Sequence, residues 1–399
     1  MTFPGTGDPP PTAPAFQRNR GSRPDENPSV AGLEGLPEIA HHPGRLSPFL
    51  MRIFLVLACC VVSILSGLLL ARGGKSSETI PRNRAPLIGL SLDTLKEERW
   101  QADRDLFEKR IRSLGGELLV QSANSDDTRQ IADVQALISR RVDALVIVPH
   151  NGAAMAKAVA LAHEAGIPVL SYDRLITGCE VDLYMTFDNI KVGELQARYL
   201  VEKMPKRPLR LVRIYGSKTD NNALLFKQGQ DNVLQPLIQK GEVEVVHEDW
   251  AQDWRPENAK KITNAALTRV GHTIDALLAS NDGTAGGAIQ ALTEEGLAGK
   301  IPVTGQDAEL AACQRIVNGT QAMTIYKPIA RLATQAAEVA FKMARGKSII
   351  APGSIENGAG PVPSLLLDVV VVTPENMKET VIRDGFQPEA KVYQGTAGF

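Results

Sequence analysis

Residues 169–174 read Val169-Leu170-Ser171-Tyr172-Asp173-Arg174, a short apolar run that ends on two charged side chains. A helical pattern over 153–165 precedes this run, and Gly166-Ile167-Pro168 ends that helix. The same order, a helical pattern followed by an apolar run that ends on a polar residue, recurs along most of the chain. It predicts an α/β fold with parallel sheets, whose strand ends meet at one edge where ligands bind.

The recurrence of this pattern predicts eleven strands. So many strands over about 300 residues fit two doubly wound parallel-sheet lobes better than one sheet. The turns at 187–189 and 326–328 are the predicted crossovers between lobes, because Pro328 keeps Lys327 extended and suits a hinge. The predicted strands are 86–92, 117–122, 144–149, 168–172, 183–187, 210–215, 243–248, 276–280, 302–305, 322–326 and 365–372.

The start of the chain has a different composition from the rest. Residues 1–50 are rich in proline, glycine and polar residues, and we expect a disordered arm. The run 53–71 carries no charge and would span about 28 Å as a helix, close to the thickness of a bilayer. We therefore expect 51–72 to be a signal peptide or a membrane anchor, followed by a polar linker over 73–85, and the folded part to be exported to the periplasm.

The composition excludes several classes of protein. The 399 residues carry a formal net charge of −1, and no strongly basic face suggests nucleic-acid binding. Four cysteines are too few for a disulfide scaffold. Gly346-Lys347-Ser348 lacks the earlier glycine of a phosphate-binding loop, since Phe341 stands there. No histidine pair has metal spacing, and no G-x-S-x-G elbow occurs. We expect no cofactor, no metal and no catalytic residue.

Side chains that suit a hydroxylated ligand follow several predicted strands. Carboxylates accept hydrogen bonds from sugar hydroxyls, Arg, Lys and Asn donate to them, and aromatic rings cover the apolar faces of the sugar. Each candidate also has an ordinary structural explanation, such as a helix cap, a local ion pair, a solvated face or a core position. The candidates are Arg99, Trp100, Asp173, Arg174, Asn222, Trp254, Asn281, Asp307 and Lys327.

The chain resembles the periplasmic D-xylose-binding proteins of bacterial ABC sugar importers, which have the type I periplasmic binding fold. The resemblance runs in order from about residue 86 to about 388 and includes the segments Glu98–Gln101, Tyr172–Arg174, Asp220–Ala223, Gly305–Asp307 and Tyr326–Pro328. It implies two lobes joined by three crossovers, a pyranose held between them and sugar contact by all nine candidates. It also favours Trp254 over Trp250 as a ring platform.

From the resemblance we expect an N-terminal lobe of residues 86–190 and 328–352 and a C-terminal lobe of 191–327 and 353–390. The protein would act as a monomer that binds D-xylose or a similar pentose and delivers it to an ABC permease in the inner membrane. The alternatives are a membrane-tethered sensor or chemoreceptor module, a binder of another small molecule, a repressor's ligand core and a sugar-modifying enzyme. An apolar segment stands where a repressor would carry its helix-turn-helix, which disfavours that alternative.

Overall fold

The structure is a computed structural model that describes residues 48–73 and 84–394. The described residues fall into two units, one within 1–78 and the other within 79–399. In the first unit, helix α1 spans Pro48–Gly73. Within the described residues no helix is long and apolar enough to cross a membrane, so the expected anchor at 53–71 is not supported. The predicted arm at 1–50 and linker at 73–85 fall almost entirely outside the described residues.

The second unit alternates strands and helices, as the recurring pattern predicts. Its strands are β1 Leu87–Leu92, β2 Glu117–Ser122, β3 Ala144–Ile147, β4 Val169–Tyr172, β5 Leu183–Phe187, β6 Leu209–Tyr215, β7 Val243–Trp250, β8 Ala276–Ala279, β9 Thr324–Tyr326, β10 Gly353–Glu356, β11 Pro361–Leu367 and β12 Val370–Val372. Its helices are α2 Glu98–Ser113, α3 Asp127–Ser139, α4 Ala156–Glu164, α5 Asn189–Lys203, α6 Asn221–Gln239, α7 Pro256–Val270, α8 Asp282–Glu294, α9 Leu310–Val317, α10 Ile329–Ala344 and α11 Glu389–Val392.

Two parallel sheets form the framework of this unit. The first sheet has seven strands in the order β10-β11-β5-β4-β3-β1-β2, and only the edge strand β10 is antiparallel to its neighbour. The second sheet has the order β7-β6-β8, with all strands parallel. A separate antiparallel pair joins β9 and β12.

Helices cover both faces of each sheet, because alternate side chains of a fully buried strand need a core on either side. In β3, Val146 packs with helices α2 and α10, whereas Leu145 and Ile147 pack with α3 and α4. In β8, Leu277 faces α7 and α8, and Leu278 faces α5 and α6. Both sheets are therefore doubly wound, which confirms the predicted fold class.

We define the first lobe as the seven-stranded sheet with α2, α3, α4 and α10, and the second lobe as the other strands with α5–α9 and α11. The chain passes between the lobes after β5, after β9 and after β11. The last passage lies at 368–369, where Leu367 still pairs with Phe187 and Val370 already pairs with Tyr326.

The structure differs from the predicted strands in three places. The run 302–305 makes only one bridge, Val303 to Leu277, since Pro302 brings no N–H to extend a ladder. The run 365–372 is two strands in different sheets, and no glycine or proline marks the break. The short strand β10 is mostly exposed and has no apolar run to reveal it. Because β10 and β11 pair in the first sheet, residues 353–367 lie with the first lobe, not with the second as the predicted division had it.

Candidate functional site

The nine candidates from the sequence all line one cavity between the two lobes. None of them is more than 7% exposed. Arg99, Trp100, Asp173 and Arg174 come from the first lobe, and the other five come from the second. The structure thus brings together side chains that are up to 228 residues apart, counted from Arg99 to Lys327 (327 − 99). Four further residues complete the lining: Glu97, Asp220, Phe226 and Gln306.

Three of the nine residues have a backbone conformation that favours glycine. The φ angles of Asp173, Trp254 and Asp307 are 60°, 56° and 98°. A non-glycine residue in this region costs on the order of 1–3 kcal/mol, and such residues cluster at functional sites. Asp173 directly follows β4, and Asp307 follows the bridge at Val303. At both places the left-handed residue lies where the chain leaves the sheet edge and enters the cavity lining.

Arg99 and Asp173 form the centre of the first lobe's contribution. Arg99 donates through Nη2 to Asp173 Oδ2 at 2.8 Å and through Nε to Asp103 Oδ2 at 3.2 Å. Asn222 donates to Asp173 Oδ1 at 3.1 Å from the second lobe. Burial alone would raise the pKa of Asp173, but the charges of Arg99, Lys327 and Arg174 outweigh it and lower the pKa. Asp173 is therefore a permanent acceptor in the cavity wall.

Arg174 links the two lobes through a pair of carboxylates. Its Nη1 lies 2.6 Å from Asp93 Oδ2 in the first lobe, and its Nε lies 2.9 Å from Asp220 Oδ2 in the second. Burial opposes ionisation of Asp93, yet Arg174 and His150 bring the pKa of this carboxyl down to about 2. This ion-pair chain explains how a fully buried guanidinium is kept charged, and it holds the lobes closed on each other.

The two tryptophans are fixed by different means. Trp100 lies under Arg99, whose Cζ is 4.1 Å from the ring centroid. Trp254 donates from Nε1 to Asp220 Oδ2 at 3.1 Å and packs edge-on against Phe226. Trp250, interpreted as structural, stacks on Tyr215 with centroids 4.8 Å apart and does not line the cavity.

The remaining second-lobe residues leave hydrogen-bonding capacity unused. Asn281 caps helix α8 in a capping box with Thr284, so the alternative explanation as a cap is correct even though Asn281 also lines the cavity. Lys327 is buried beside the rings of Phe187 and Phe226, and burial lowers its pKa. Asp307 Oδ1 accepts no hydrogen bond from the described residues; its nearest cations are Arg99 at 3.5 Å and Lys327 at 4.0 Å.

Sequence reasoning missed several residues that hold or line the cavity. Asp220 was hidden because it also begins helix α6 as its N-cap, although it follows a strand end like the others. Asp93 follows β1 and could have been read in the same way. His150 lies 3.0 Å from Asp93 through Nδ1 and 3.9 Å from Asp253 through Nε2. No local pattern signals that a single histidine lies between two lobes.

Two doubly wound lobes that enclose a buried, polar and aromatic cavity define a two-lobed binding protein for a small ligand. The sequence family described as periplasmic binding protein domain matches residues 88–348, and the chain belongs to this family. The predictions of the fold and of a sugar-binding protein that is not an enzyme are confirmed by this membership and by the relatives that follow.

Two curated relatives and one solved structure show these similarities in more detail. The chain is 48% identical over 306 residues to the D-xylose-binding periplasmic protein of Haemophilus influenzae, covering 77% of this chain and 92% of the relative. It is also 48% identical to the D-xylose-binding periplasmic protein of Escherichia coli, with 76% and 92% covered. A carbohydrate transporter solute binding protein from Chloroflexus aurantiacus, solved with D-glucose, has 32% identity and a TM-score of 0.72, with 76% and 97% covered.

Proposed function

We propose that this protein binds D-xylose, or a closely similar pentose, in the cavity between its lobes and delivers it to an ABC permease. The observation that carries the proposal is the convergence of all nine candidate residues on one buried cavity. The identity of 48% to two D-xylose-binding proteins favours this sugar over the D-glucose bound by the more distant structural relative.

Each side chain has a role that suits a pyranose. Trp100 and Trp254 cover the apolar faces of the ring. Asp173 and Asp307 accept hydrogen bonds from hydroxyls, and Asn222 and Asn281 both donate and accept. The three cations donate charge-assisted hydrogen bonds. They are Arg99, Arg174 and Lys327.

Binding is coupled to closure of the lobes. The lining comes from both lobes, so the sugar has its full set of contacts only when they are closed, and it shifts the population towards that form. We propose the predicted lobe division as the moving parts, with residues 353–367 reassigned to the first lobe. The closed, sugar-loaded monomer would then dock on the permease from the periplasm.

A thermal-shift panel on the full chain tests the proposal. D-xylose at about 1,000 times its Kd stabilises the native state by about 4 kcal/mol, and the melting temperature rises accordingly. L-arabinose, D-ribose and D-glucose should produce smaller shifts at the same concentration. Lys327→Met is the control variant that loses the shift while keeping an apolar stem between the rings. A panel in which no sugar raises the melting temperature would overturn sugar binding, and a larger shift with D-glucose would overturn the pentose preference.

A further inference from the structure

Two consecutive residues at the cavity each carry a buried oxygen without a hydrogen bond. Gln306 Oε1 and Asp307 Oδ1 accept none from the residues that the structure describes. Both side chains are buried, Gln306 at 3% exposure and Asp307 at 7%. A buried acceptor left unpaired costs about 1–3 kcal/mol, so a donor is expected for each of them. Gln306 was not among the residues predicted to bind ligand.

The side-chain amide of Gln306 is oriented by one hydrogen bond from its nitrogen. Its Nε2 donates to Asp307 Oδ2 at 3.4 Å. The backbone carbonyl oxygen of Gln306 accepts a hydrogen bond from the backbone N–H of Asp282 at 2.9 Å. The backbone N–H of Asp307 donates to the carbonyl oxygen of Ile325 at 2.8 Å, so the backbone is held on both sides of the Gln306 side chain. Because the amide nitrogen is engaged by a carboxylate, the amide oxygen is the group that remains for a ligand.

The protein has few donors to offer these two oxygens. The cations nearest to Asp307 Oδ1 lie at 3.5 and 4.0 Å, and neither makes a hydrogen bond to it. Two acceptors on adjacent residues, in one cavity wall, match a ligand that presents two donors side by side. Neighbouring hydroxyls on a sugar ring are such a pair of donors.

We propose that Gln306 is a specificity-determining residue, which accepts a hydrogen bond from the hydroxyl next to the one bound by Asp307. Gln306 and Asp307 would accept hydrogen bonds from two adjacent ring hydroxyls, and a sugar that lacks either hydroxyl leaves one of these buried oxygens unpaired. A site built to hydrogen-bond a hydroxyl rejects analogues that lack it far more strongly than an apolar pocket rejects an extra group. This inference rests on the proposed function and names the part of the site that selects the sugar.

Calorimetry with a protein variant and deoxy sugars tests the proposal as a double cycle. The variant is Gln306→Met, which keeps the length of the side chain and removes the acceptor. The ligands are D-xylose and its 2-deoxy, 3-deoxy and 4-deoxy analogues. We expect Gln306→Met to bind D-xylose about tenfold more weakly than the wild type. For one deoxy sugar the wild type should show a similar loss, and the variant should show no further loss.

Asp307→Asn, taken through the same cycle, should couple to a different hydroxyl, adjacent on the ring to the one that couples to Gln306. The matched control is Gln335→Met. Gln335 Oε1 also accepts no hydrogen bond from residues 48–73 and 84–394, but this residue lies on helix α10 and outside the cavity lining. The affinities of the Gln335→Met variant for all four sugars should equal those of the wild type.

Three outcomes would overturn the proposal: unchanged D-xylose affinity in Gln306→Met, an equal loss for every deoxy sugar, or coupling of Gln306 and Asp307 to hydroxyls that are not neighbours. If Gln306→Met fails to fold, the affinities of the wild type for the deoxy sugars still test the proposal. The sugars that lack either of two neighbouring hydroxyls must then bind more weakly than D-xylose. A wild type that binds no pentose would instead refute the proposed function, and the two failures are therefore distinguishable.

Discussion

The two sides of the cavity are held in different ways. On the ionic side, formed by Arg99, Asp173 and Arg174, each charge has a protein partner at 2.6–3.2 Å. On the acceptor side, formed by Gln306 and Asp307 beside Lys327, two oxygens accept no hydrogen bond from the described residues, and the Asp307 Oδ1 atom lies 3.5 Å or more from its nearest cations. Both sides are buried to a similar extent, so the difference lies in pairing and not in exposure.

This difference separates two tasks. The ionic side is arranged by the protein's own charges, and in the closed form its ion pairs connect the lobes. On the proposed function, we expect the acceptor side to gain most of its hydrogen bonds from the sugar. We therefore expect mutations of the ionic side to lower the free energy of unfolding, and mutations of the acceptor side to lower ligand affinity with little effect on stability.

The largest effect should come from Arg174→Ala. The change leaves Asp93 and Asp220 as buried carboxylates without their cation, which should lower the free energy of unfolding by about 3–5 kcal/mol. Urea unfolding without ligand measures this value. Arg331→Ala, at an exposed position on α10, is the control and should change it by less than about 0.5 kcal/mol. A loss below about 1 kcal/mol for Arg174→Ala would show that the ionic side does not carry stability.

A smaller loss of stability is expected from Gly216→Ala, which tests how far packing against Gly216 holds Trp254 in place. A Cβ at Gly216 would lie 2.0 Å from Cη2 of Trp254, so the indole must move. We expect a loss of about 1–3 kcal/mol in stability and a roughly tenfold weaker affinity for D-xylose, measured by urea unfolding and calorimetry. Gly353→Ala is the matched control, because the nearest atom to its Cβ is 4.0 Å away. Equal behaviour of the two variants would contradict the packing argument.

Asp307→Asn should separate affinity from stability. The Oδ1 atom of the carboxylate that is lost accepts no hydrogen bond within the part of the chain that the structure describes, so the free energy of unfolding should change by less than about 1 kcal/mol. Affinity for D-xylose should fall at least about tenfold, because a strong acceptor for a hydroxyl is lost. Asp105→Asn, at a side chain that is 63% exposed, is the control for both measurements. If Asp307→Asn lowered the free energy of unfolding by more than it weakened the free energy of binding, the distinction between the ionic side and the acceptor side would be wrong.

The smallest effect concerns pH and His150. Burial opposes protonation of this imidazole, but the hydrogen bond and charge of Asp93 outweigh it and raise the pKa; Asp127 adds to the rise and Arg174 opposes it. A raised pKa in the folded state means that the stabilisation is fully present below the unfolded pKa of about 6.5 and is lost as pH rises through the folded value.

The melting temperatures of wild type and His150→Asn should therefore differ by about 1–2 °C near pH 5.5, and the gap should close towards about pH 9. His272→Asn, at a position that is 59% exposed, is the control. A gap that widens with rising pH would reverse the sign of the argument and exclude a protonated His150 between Asp93 and Asp253.

Much of the site could be predicted because strand ends are visible in a sequence. Asp173, Asn281 and Lys327 each follow a short apolar run, and parallel strands bring such residues to one edge. Gln306 directly follows the predicted strand 302–305 and lies in the segment Gly305–Asp307 of the resemblance, but it was not predicted to contact the ligand. Residues 353–367 were assigned to the wrong lobe because the sequence of a strand does not show which other strand it pairs with.

The sequence by itself determined the alternation of strands and helices, the direction of the strands and therefore the edge at which the polar residues gather. These are local properties, set by periodicity and by the residues that end each element. Only the tertiary structure decided which charges pair, since Arg174 reaches Asp93 and Asp220 across 81 and 46 residues of chain (174 − 93 and 220 − 174). The same long-range packing decided which buried oxygens remain free for a ligand, because the supply of donors around an atom depends on every element that surrounds it.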